Sequence, residues 1–576
     1  MVENSKRKLY DGYQINDFRE LINVRYTMFK DKNAFEYRLK PDSEIIKVTY
    51  ADYINDIKAL GTALLNLGLE KKRIALIAPN RYEWCVSYLA VTTSNIVVVP
   101  LDKSLPDNEI ESLIIRSKVD GVIFDKKYLD VFNNIKNNNT SNLTTYICMD
   151  YSEDKDNILS YPKLINNGAK QLANGDKKYD NITIDNTAMS IMIFTSGTTS
   201  ISKAVMLSQK NICSDIYSLS CMAKVTSNDK FLSFLPLHHT FESTCTFLYG
   251  TSAGITVVFT DGLKYIVKNL KEYEITGFVC VPLVLETIYK KINKEIEKQG
   301  KTKLIKFARK FSNFLLKFHI DIRKKIFKPI LDQLGGKLNI LIAGGAPMDK
   351  EAISAFVDFG INLLQGYGLT ETSPVAAGEN DKYKRAGSVG FPLPNIDIEI
   401  DNPDEDGVGE IIIKAPTVML GYYENPEATD SVLRDSWFHT GDLGKFDEDG
   451  FLFVTGRKKF VIVLKNGKKV FPEEVEILIN KLPFVQESMV YGLPDRDNDV
   501  KLCAKIVYNP DTMKELYPAS RESDYKKLIK DQIKKINHTM PAYKYIRDII
   551  ITTEPLIKTT TQKIKRNEEM KKIIGK

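Results

Sequence analysis

The residue types best suited to holding an anion are gathered in the run Thr195-Ser196-Gly197-Thr198-Thr199-Ser200, followed by Lys203. Small residues let backbone N–H groups and hydroxyls face a phosphate, and the lysine adds a point charge. The spacing is not G-x-x-x-x-G-K-[ST], which excludes a Walker A loop. On residue types alone, the run reads equally well as a Ser/Thr-rich turn after the apolar stretch MSIMIF. Further along, QGYGLTET (Gln365 to Thr372) sets Gly366 and Gly368 around the flat face of Tyr367, then places Thr370 beside Glu371. A hydroxyl and a carboxylate are the oxygen ligands a hard cation takes. AGGAP supplies Gly344, Gly345 and Ala346 for close backbone approach. Asp442 follows in WFHTGDLG, Arg457 and Lys459 in GRKKF, and Lys563 in a basic tail.

Such groups need a scaffold, and the chain spells one out. Short β-branched runs alternate with amphipathic stretches: RIALIAP, then NRYEWCVSYLAVTTS, NIVVVPL, PDNEIESLIIRSK and DGVIFD. This βαβ rhythm predicts parallel sheets covered by helices on both faces. It returns at ITGFVCVP, LNILIAGG and FGINLLQGYG, each running into a Gly- or Pro-containing turn where ligands bind in open α/β sheets. From about residue 385 the texture becomes short strands and acidic turns (NIDIEID, GEIIIKAP, GFLFVTGR), which predicts an antiparallel, barrel-like module at 385–456. Residues 457–576 read as a small α+β unit with strands FVIVL, SMVYGLP and KLCAKIVY, a helix at PEEVEILINKL and a basic helix around Ser523 to Asn537. The fold class is therefore α/β: a large N-terminal domain of mixed βαβ sheets over 1–456 with the barrel-like part, then a mobile C-terminal domain over 457–576. The hinge is placed at Gly456-Arg457-Lys458-Lys459.

Composition narrows the class of protein. The 576 residues exceed one ordinary core, and a net charge of +7 gives no reason to expect nucleic acid. Seven scattered cysteines without a C-x-x-C pair point to reduced thiols, and five histidines argue against a His/Cys zinc site. MVENSKRKLYDGYQ has no apolar signal core, and no apolar run approaches a membrane span. A cytoplasmic protein is expected.

Taken together, the blocks resemble the AMP-forming acyl-CoA synthetases and their adenylate-forming relatives, with the long-chain fatty acyl-CoA synthetases nearest. TSGTTSISKAV is similar to the phosphate loop TSGTTG-x-PKG-V, with Ser200, Ser202 and Ala204 departing from it. FLPLHHTFE, AGGAP, QGYGLTET, GEIIIKAPTVMLGYYENPEAT, WFHTGDLG, GRKKFVIVLKNGKKVFPEEVE and EPLIKTTTQKIKR follow in the family's order. The resemblance implies ATP, Mg²⁺ and coenzyme A as cofactors. It implies nucleotide contacts from Thr195, Ser196, Gly197, Thr198, Thr199, Lys203, Gly344, Gly345, Ala346, Gln365, Gly366, Tyr367, Gly368, Thr370, Asp442 and Arg457. Lys459 is the implied pivot and Gly467 stands near the coenzyme A tunnel. Thr195 and Glu371 are the implied magnesium ligands, and Lys563, Glu371, Thr370 and His239 the implied catalytic set. Gln562 replaces the glycine usual before that lysine.

The resemblance also frames the substrate. Residues 290–328 hold 12 Lys and 2 Arg against Glu295, Glu297 and Asp321, with Ile305, Phe311, Leu315, Phe318 and Ile322 at helical spacing. One reading docks this apolar stripe on the core; the other lays a basic amphipathic surface on anionic lipid at the inner membrane face. Long-chain family members carry a helical insertion here, so a fatty acid is the expected substrate and coenzyme A the expected acceptor. An acyl-AMP ligase loading a carrier protein, a medium-chain or aryl-CoA ligase, and a non-catalytic acyl-nucleotide-binding protein are the alternatives. The oligomeric state stays open, a homodimer included.

Overall fold

The structure is a computed structural model that describes residues 7, 9–195, 202–346, 348–464, 468–495, 500–559 and 563–575. The chain forms two compact units. The first comprises residues 1–345, 350–397 and 413–438, and the second residues 346–349, 398–412 and 439–576.

Among the described residues, two large sheets organise the first unit. One has the strand order Gly421–Tyr422, Lys203–Ser208, Met189–Thr195, Val97–Pro100, Arg73–Ile77, Gly121–Phe124, Thr145–Cys148, Leu159–Ser160. It is parallel from Met189–Thr195 outward to Leu159–Ser160, while the Lys203–Ser208 strand runs back antiparallel. The second sheet has nine strands, among them Lys230–Ser233, Gly277–Cys280, Ile340–Gly344 and Asn362–Gly368 side by side and parallel. The βαβ reading accounts for both. A shared apolar core draws Ile74, Val98 and Ile191 from one sheet and Phe35, Phe231 and Val257 from the other, with Trp84, Tyr88 and Leu60 from helices between. Helix starts are written locally. Thr49 and Ser208 each close a capping box, opening the helices Tyr50–Asn66 and Gln209–Met222.

The barrel-like module appears as a five-stranded sheet of Asp397–Asp401, Gly409–Lys414, Leu433–Arg434, Trp437–Phe446 and Leu452–Arg457. In the second unit, Val485–Pro494 and Val500–Tyr508 pair antiparallel, and Ile546–Thr552 joins in parallel. Alternation along Val485–Pro494 sends Val490 into one apolar cluster with Val475, Ile479 and Ile529. Met489 and Tyr491 face the other way, toward Cys503, Val507 and Leu556. The FVIVL stretch is shorter as a strand than its composition suggests, only Ile462–Val463. All seven cysteines are free and buried. No helix among the described residues is long and apolar enough to cross a membrane.

The 290–328 segment departs from the docked-stripe expectation. It forms the end of a helix Pro282–Lys298, a helix Thr302–Leu316 and two short helical turns. Phe311 and Phe318 face solvent while Ile305, Leu315 and Ile322 are half-buried, so the five do not act as one stripe. The helix stops at Leu316, which puts Phe318 and Ile322 outside the periodicity that grouped them.

Candidate functional site

The phosphate-loop candidate joins two antiparallel strands, with Thr195 directly opposite Lys203. Thr195 Oγ1 donates to the Lys203 carbonyl at 3.4 Å. Ser196, Gly197, Thr198, Thr199 and Ser200 lie outside the described residues. The far side of the loop is held at Ser202, whose hydroxyl and carbonyl accept from Arg116 at 3.1 and 2.5 Å. Arg116 also lies over the Phe194 ring, 5.3 Å from its centroid. Ser202, where the family pattern has proline, thus supplies an acceptor that proline lacks.

Tyr422 connects this hairpin to Glu371. Its strand pairs with Lys203–Ser208 so that Tyr422 stands opposite Val205. The Lys203 ammonium sits 4.5 Å from the Tyr422 ring centroid, and the Tyr422 hydroxyl donates to Glu371 Oε1 at 2.9 Å. A second tie is the Met419 N–H, which donates to the Glu371 carbonyl at 2.8 Å. Sequence reading placed Tyr422 inside a recognised block without giving it a role. Only the strand pairing, which joins distant parts of the chain, reveals one.

Glu371 and Thr370 occupy a tight turn directly after the strand Asn362–Gly368. That strand carries Gln365, Gly366, Tyr367 and Gly368, with Gly366 level with Gly344 and Gln365 level with Ala343 on the parallel neighbour. Gly368 is required by packing: a Cβ there would stand 1.8 Å from the Pro374 carbonyl oxygen. At Gly344 a Cβ would meet the Phe241 ring edge at 3.0 Å, so the LHHTFE segment presses on the end of the AGGAP strand. Gly345 takes φ +84°, a left-handed conformation that glycine adopts without strain.

The two histidines of that segment separate by environment. His238 is buried, and desolvation, reinforced by nearby Lys103, pushes its pKa down to about 3, so it is neutral. His239 is half-buried and opens the short helix Thr240–Glu242. Asn80 pins this stretch, donating to the Leu235 carbonyl at 2.7 Å and accepting from the Leu237 N–H at 3.2 Å. Glu242 is fully buried, with Ser233 Oγ and Thr246 Oγ1 2.6 and 3.0 Å from its oxygens. Burial raises its pKa from 4.5 to about 8. The unfolded chain releases this proton near pH 4.5 while the folded chain keeps it to about 8. The group's contribution to stability therefore falls as pH rises through that window. Glu242→Gln keeps the size and hydrogen-bonding capacity but not the titration. The melting temperature of the native protein should drop relative to that of Glu242→Gln between pH 5 and pH 8. A difference that does not change with pH would contradict this.

The remaining sequence-predicted residues lie in the second unit. Ala346 belongs to its short 346–349 segment. Asp442 is buried on Trp437–Phe446, opposite Arg457 on Leu452–Arg457, with Arg457 Nε 2.7 Å from Asp442 Oδ1. The strand just before Asp442 is held by Glu410, which accepts from the Gly441 N–H at 3.0 Å and from Lys458 Nζ at 2.9 Å. Lys459 lies over the Phe460 ring, 4.7 Å from its centroid. Gly467 and Gln562 lie outside the described residues. Lys563 is exposed on a loop closed by Thr559, which donates from its N–H to the Lys563 carbonyl at 2.8 Å and accepts from the Lys563 N–H at 3.1 Å. Three ion pairs fasten the flanks: Lys558 to Glu487 at 2.6 Å, Arg566 to Glu476 at 2.5 Å, and the buried pair Lys505–Glu569 at 2.8 Å.

The family described as AMP-binding enzyme matches residues 24–423, and its C-terminal domain matches residues 459–573. The chain belongs to the AMP-binding enzymes. Fatty acyl-CoA synthetase B of Dictyostelium discoideum is 27% identical, over 85% of this chain and 77% of that protein. Long-chain-fatty-acid–CoA ligase 5 of Mus musculus is 28% identical, over 92% and 83%. A long-chain-fatty-acid–[acyl-carrier-protein] ligase of Arabidopsis thaliana, AEE15, is 27% identical, over 91% and 81%. Among solved structures, the anthranilate-CoA ligase AuaEII in complex with anthranoyl-AMP has this fold, with a TM-score of 0.74 at 19% identity, covering 98% of each chain. A Mycobacterium tuberculosis fatty acyl CoA synthetase has a TM-score of 0.62 at 21% identity, covering 97% of this chain and 98% of its own. The adenylate-forming fold thus extends over both units of this AMP-binding enzyme.

Proposed function

We propose that this AMP-binding enzyme activates a long-chain fatty acid with ATP as the acyl-adenylate and then transfers the acyl group to coenzyme A, releasing AMP and pyrophosphate. The observation that supports this most is the link from Lys203 through Tyr422 to Glu371. It gathers a cation, one edge of the phosphate-loop candidate and a carboxylate that follows a strand of the other sheet.

A carboxylate is a poor acyl donor because its oxygen leaves badly. Attack of the acid's carboxylate on the α-phosphorus of ATP, in line with the departing pyrophosphate, converts that oxygen into part of an AMP leaving group. Negative charge then grows on phosphoryl oxygens, where fixed cationic and N–H donors act most strongly. The hairpin and Lys203 serve the phosphates, and Gly344, Gly345, Ala346 and the Gln365–Gly368 strand flank the adenine. Asp442 accepts from the ribose hydroxyls, with Arg457 beside it. Thr370 and Lys563 engage phosphate, and His239 borders the acyl pocket. Thr195 and Glu371 form an oxygen donor set that suits Mg²⁺, which would neutralise phosphate charge. Residues 1–456 are the adenylation domain and 457–576 the mobile one. Rotation about 456–459, with Lys459 as pivot, withdraws Lys563 and brings the Gly467 region to the acyl-adenylate for coenzyme A to attack.

A second reading, transfer to a carrier protein, is favoured by the Arabidopsis relative's name and similar identity. Pyrophosphate release across acids of increasing chain length, with coenzyme A, with a carrier protein and with neither, separates the two. Acyl-CoA formation with preference for long chains is expected. Acyl-adenylate persisting despite coenzyme A, but consumed by the carrier protein, would assign the second reading.

Tyr422→Phe keeps the ring against Lys203 and removes the hydroxyl from Glu371. A hydrogen bond to a charged group is worth about 1.5–3 kcal/mol, so acid-dependent ATP–pyrophosphate exchange should slow at least about tenfold with the melting temperature little changed. An unchanged exchange rate would leave Tyr422 a packing residue.

A further inference from the structure

The helix Thr302–Leu316 is fastened to the protein by polar contacts. Arg309 Nε and Asn313 Nδ2 donate to the two oxygens of Asp358 at 2.7 and 2.8 Å, and Ser312 is buried beneath. The opposite side carries Leu304, Phe307, Phe311 and Phe314, continued past the helix end by Phe318. These residues are between 45% and 66% exposed. Every exposed phenylalanine among the described residues is in this row. Phe307 and Phe311 stack at 6.2 Å, and Phe314 meets Phe318 edge-on at 5.2 Å, so the row consists of two aromatic pairs in succession. Exposed Lys303, Lys306, Lys310 and Lys317 run along one flank. No acidic residue occurs between Glu297 and Asp321.

A water-facing aromatic row of this extent marks an interaction surface. We infer that this helix lies flat on an anionic lipid bilayer, with the phenylalanines in the acyl–headgroup boundary and the lysines at the phosphates. The pattern is that of an interfacial helix: apolar and cationic residues on adjacent strips, with too short a length to span. A second copy of the chain fits less well, because each copy would bring its uncompensated lysines to the other's. The inference stands on the helix itself and deepens the fatty-acid reading, since a long-chain acid partitions into that boundary.

The test is co-sedimentation of the 576-residue chain, without ATP, with vesicles of phosphatidylcholine alone or mixed with phosphatidylglycerol. The native protein should pellet with the mixed vesicles, less so at high salt. Replacing Phe307, Phe311, Phe314 and Phe318 with serine should weaken binding by about tenfold or more, as should replacing Lys303, Lys306, Lys310 and Lys317 with glutamine. Melting temperature, and pyrophosphate release with a short soluble acid, should not change in either variant. A native protein that ignores both vesicles, or variants that bind as it does, would overturn the inference. So would a lipid-free dimer that the serine variant dissociates, which would give the row to a second copy. The vesicle-binding and dimer outcomes do not depend on catalysis, so the ligase reading stands or falls separately.

Discussion

Lys563→Ala is expected to slow acid-dependent ATP–pyrophosphate exchange by about a hundred- to a thousandfold, the scale for removing one preorganised charge-stabilising donor. Conversion of supplied acyl-adenylate to acyl-CoA should stay within a few-fold of the native rate. The two half-reactions separate because the role proposed for the lysine is to stabilise the pentavalent phosphoryl group and departing pyrophosphate, which occur only in the first. The variant should fold normally: Lys563 is exposed, and its loop is held by Thr559 and by the flanking pairs Lys558–Glu487 and Arg566–Glu476. Rapid-quench measurement of each half-reaction decides the matter. Equal loss in both would mean that Lys563 does not have this role.

Glu371→Gln should have an effect of similar size, about 2–4 kcal/mol on the adenylation barrier. Glutamine still accepts the Tyr422 hydroxyl, and the backbone tie to Met419 is untouched, so the turn at Thr370–Thr372 keeps its shape. What is lost is the negative charge proposed to hold the magnesium ion of the nucleotide complex. The defect should appear as a raised magnesium requirement together with a slower rate. A loss of rate with an unaltered magnesium dependence would move Glu371 out of the metal-binding set.

These two residues also show what makes a candidate site legible in a sequence. Glu371 sits in a short segment whose residue types are constrained by the close approach at Gly368, whereas Lys563 bonds Thr559 through its backbone alone and is singled out by its place in the order of blocks. The parallel sheets were legible because strands buried on both faces need unbroken β-branched runs, as in RIALI and VVVP. Tyr422 was not legible, because its partners Lys203 and Glu371 are brought to it by pairing between distant strands. Arg116 was hidden for the same reason: nothing near it in the chain announces Ser202. The 290–328 segment misled in a different way. Apolar residues there occupy more than one side of the Thr302–Leu316 helix, and periodicity grouped inward Ile305 and Leu315 with outward Phe311. Burial separates them, because polar ties to Asp358 fix which side faces the protein.

The central claim is that the acid's own oxygen attacks the α-phosphorus. It is tested most directly with a long-chain fatty acid labelled with ¹⁸O in its carboxylate, incubated with the native protein, ATP, magnesium and coenzyme A. Mass spectrometry of the products should find one labelled oxygen in AMP, with unlabelled pyrophosphate. Label in inorganic phosphate alongside ADP, or no labelled nucleotide with any acid, would contradict it.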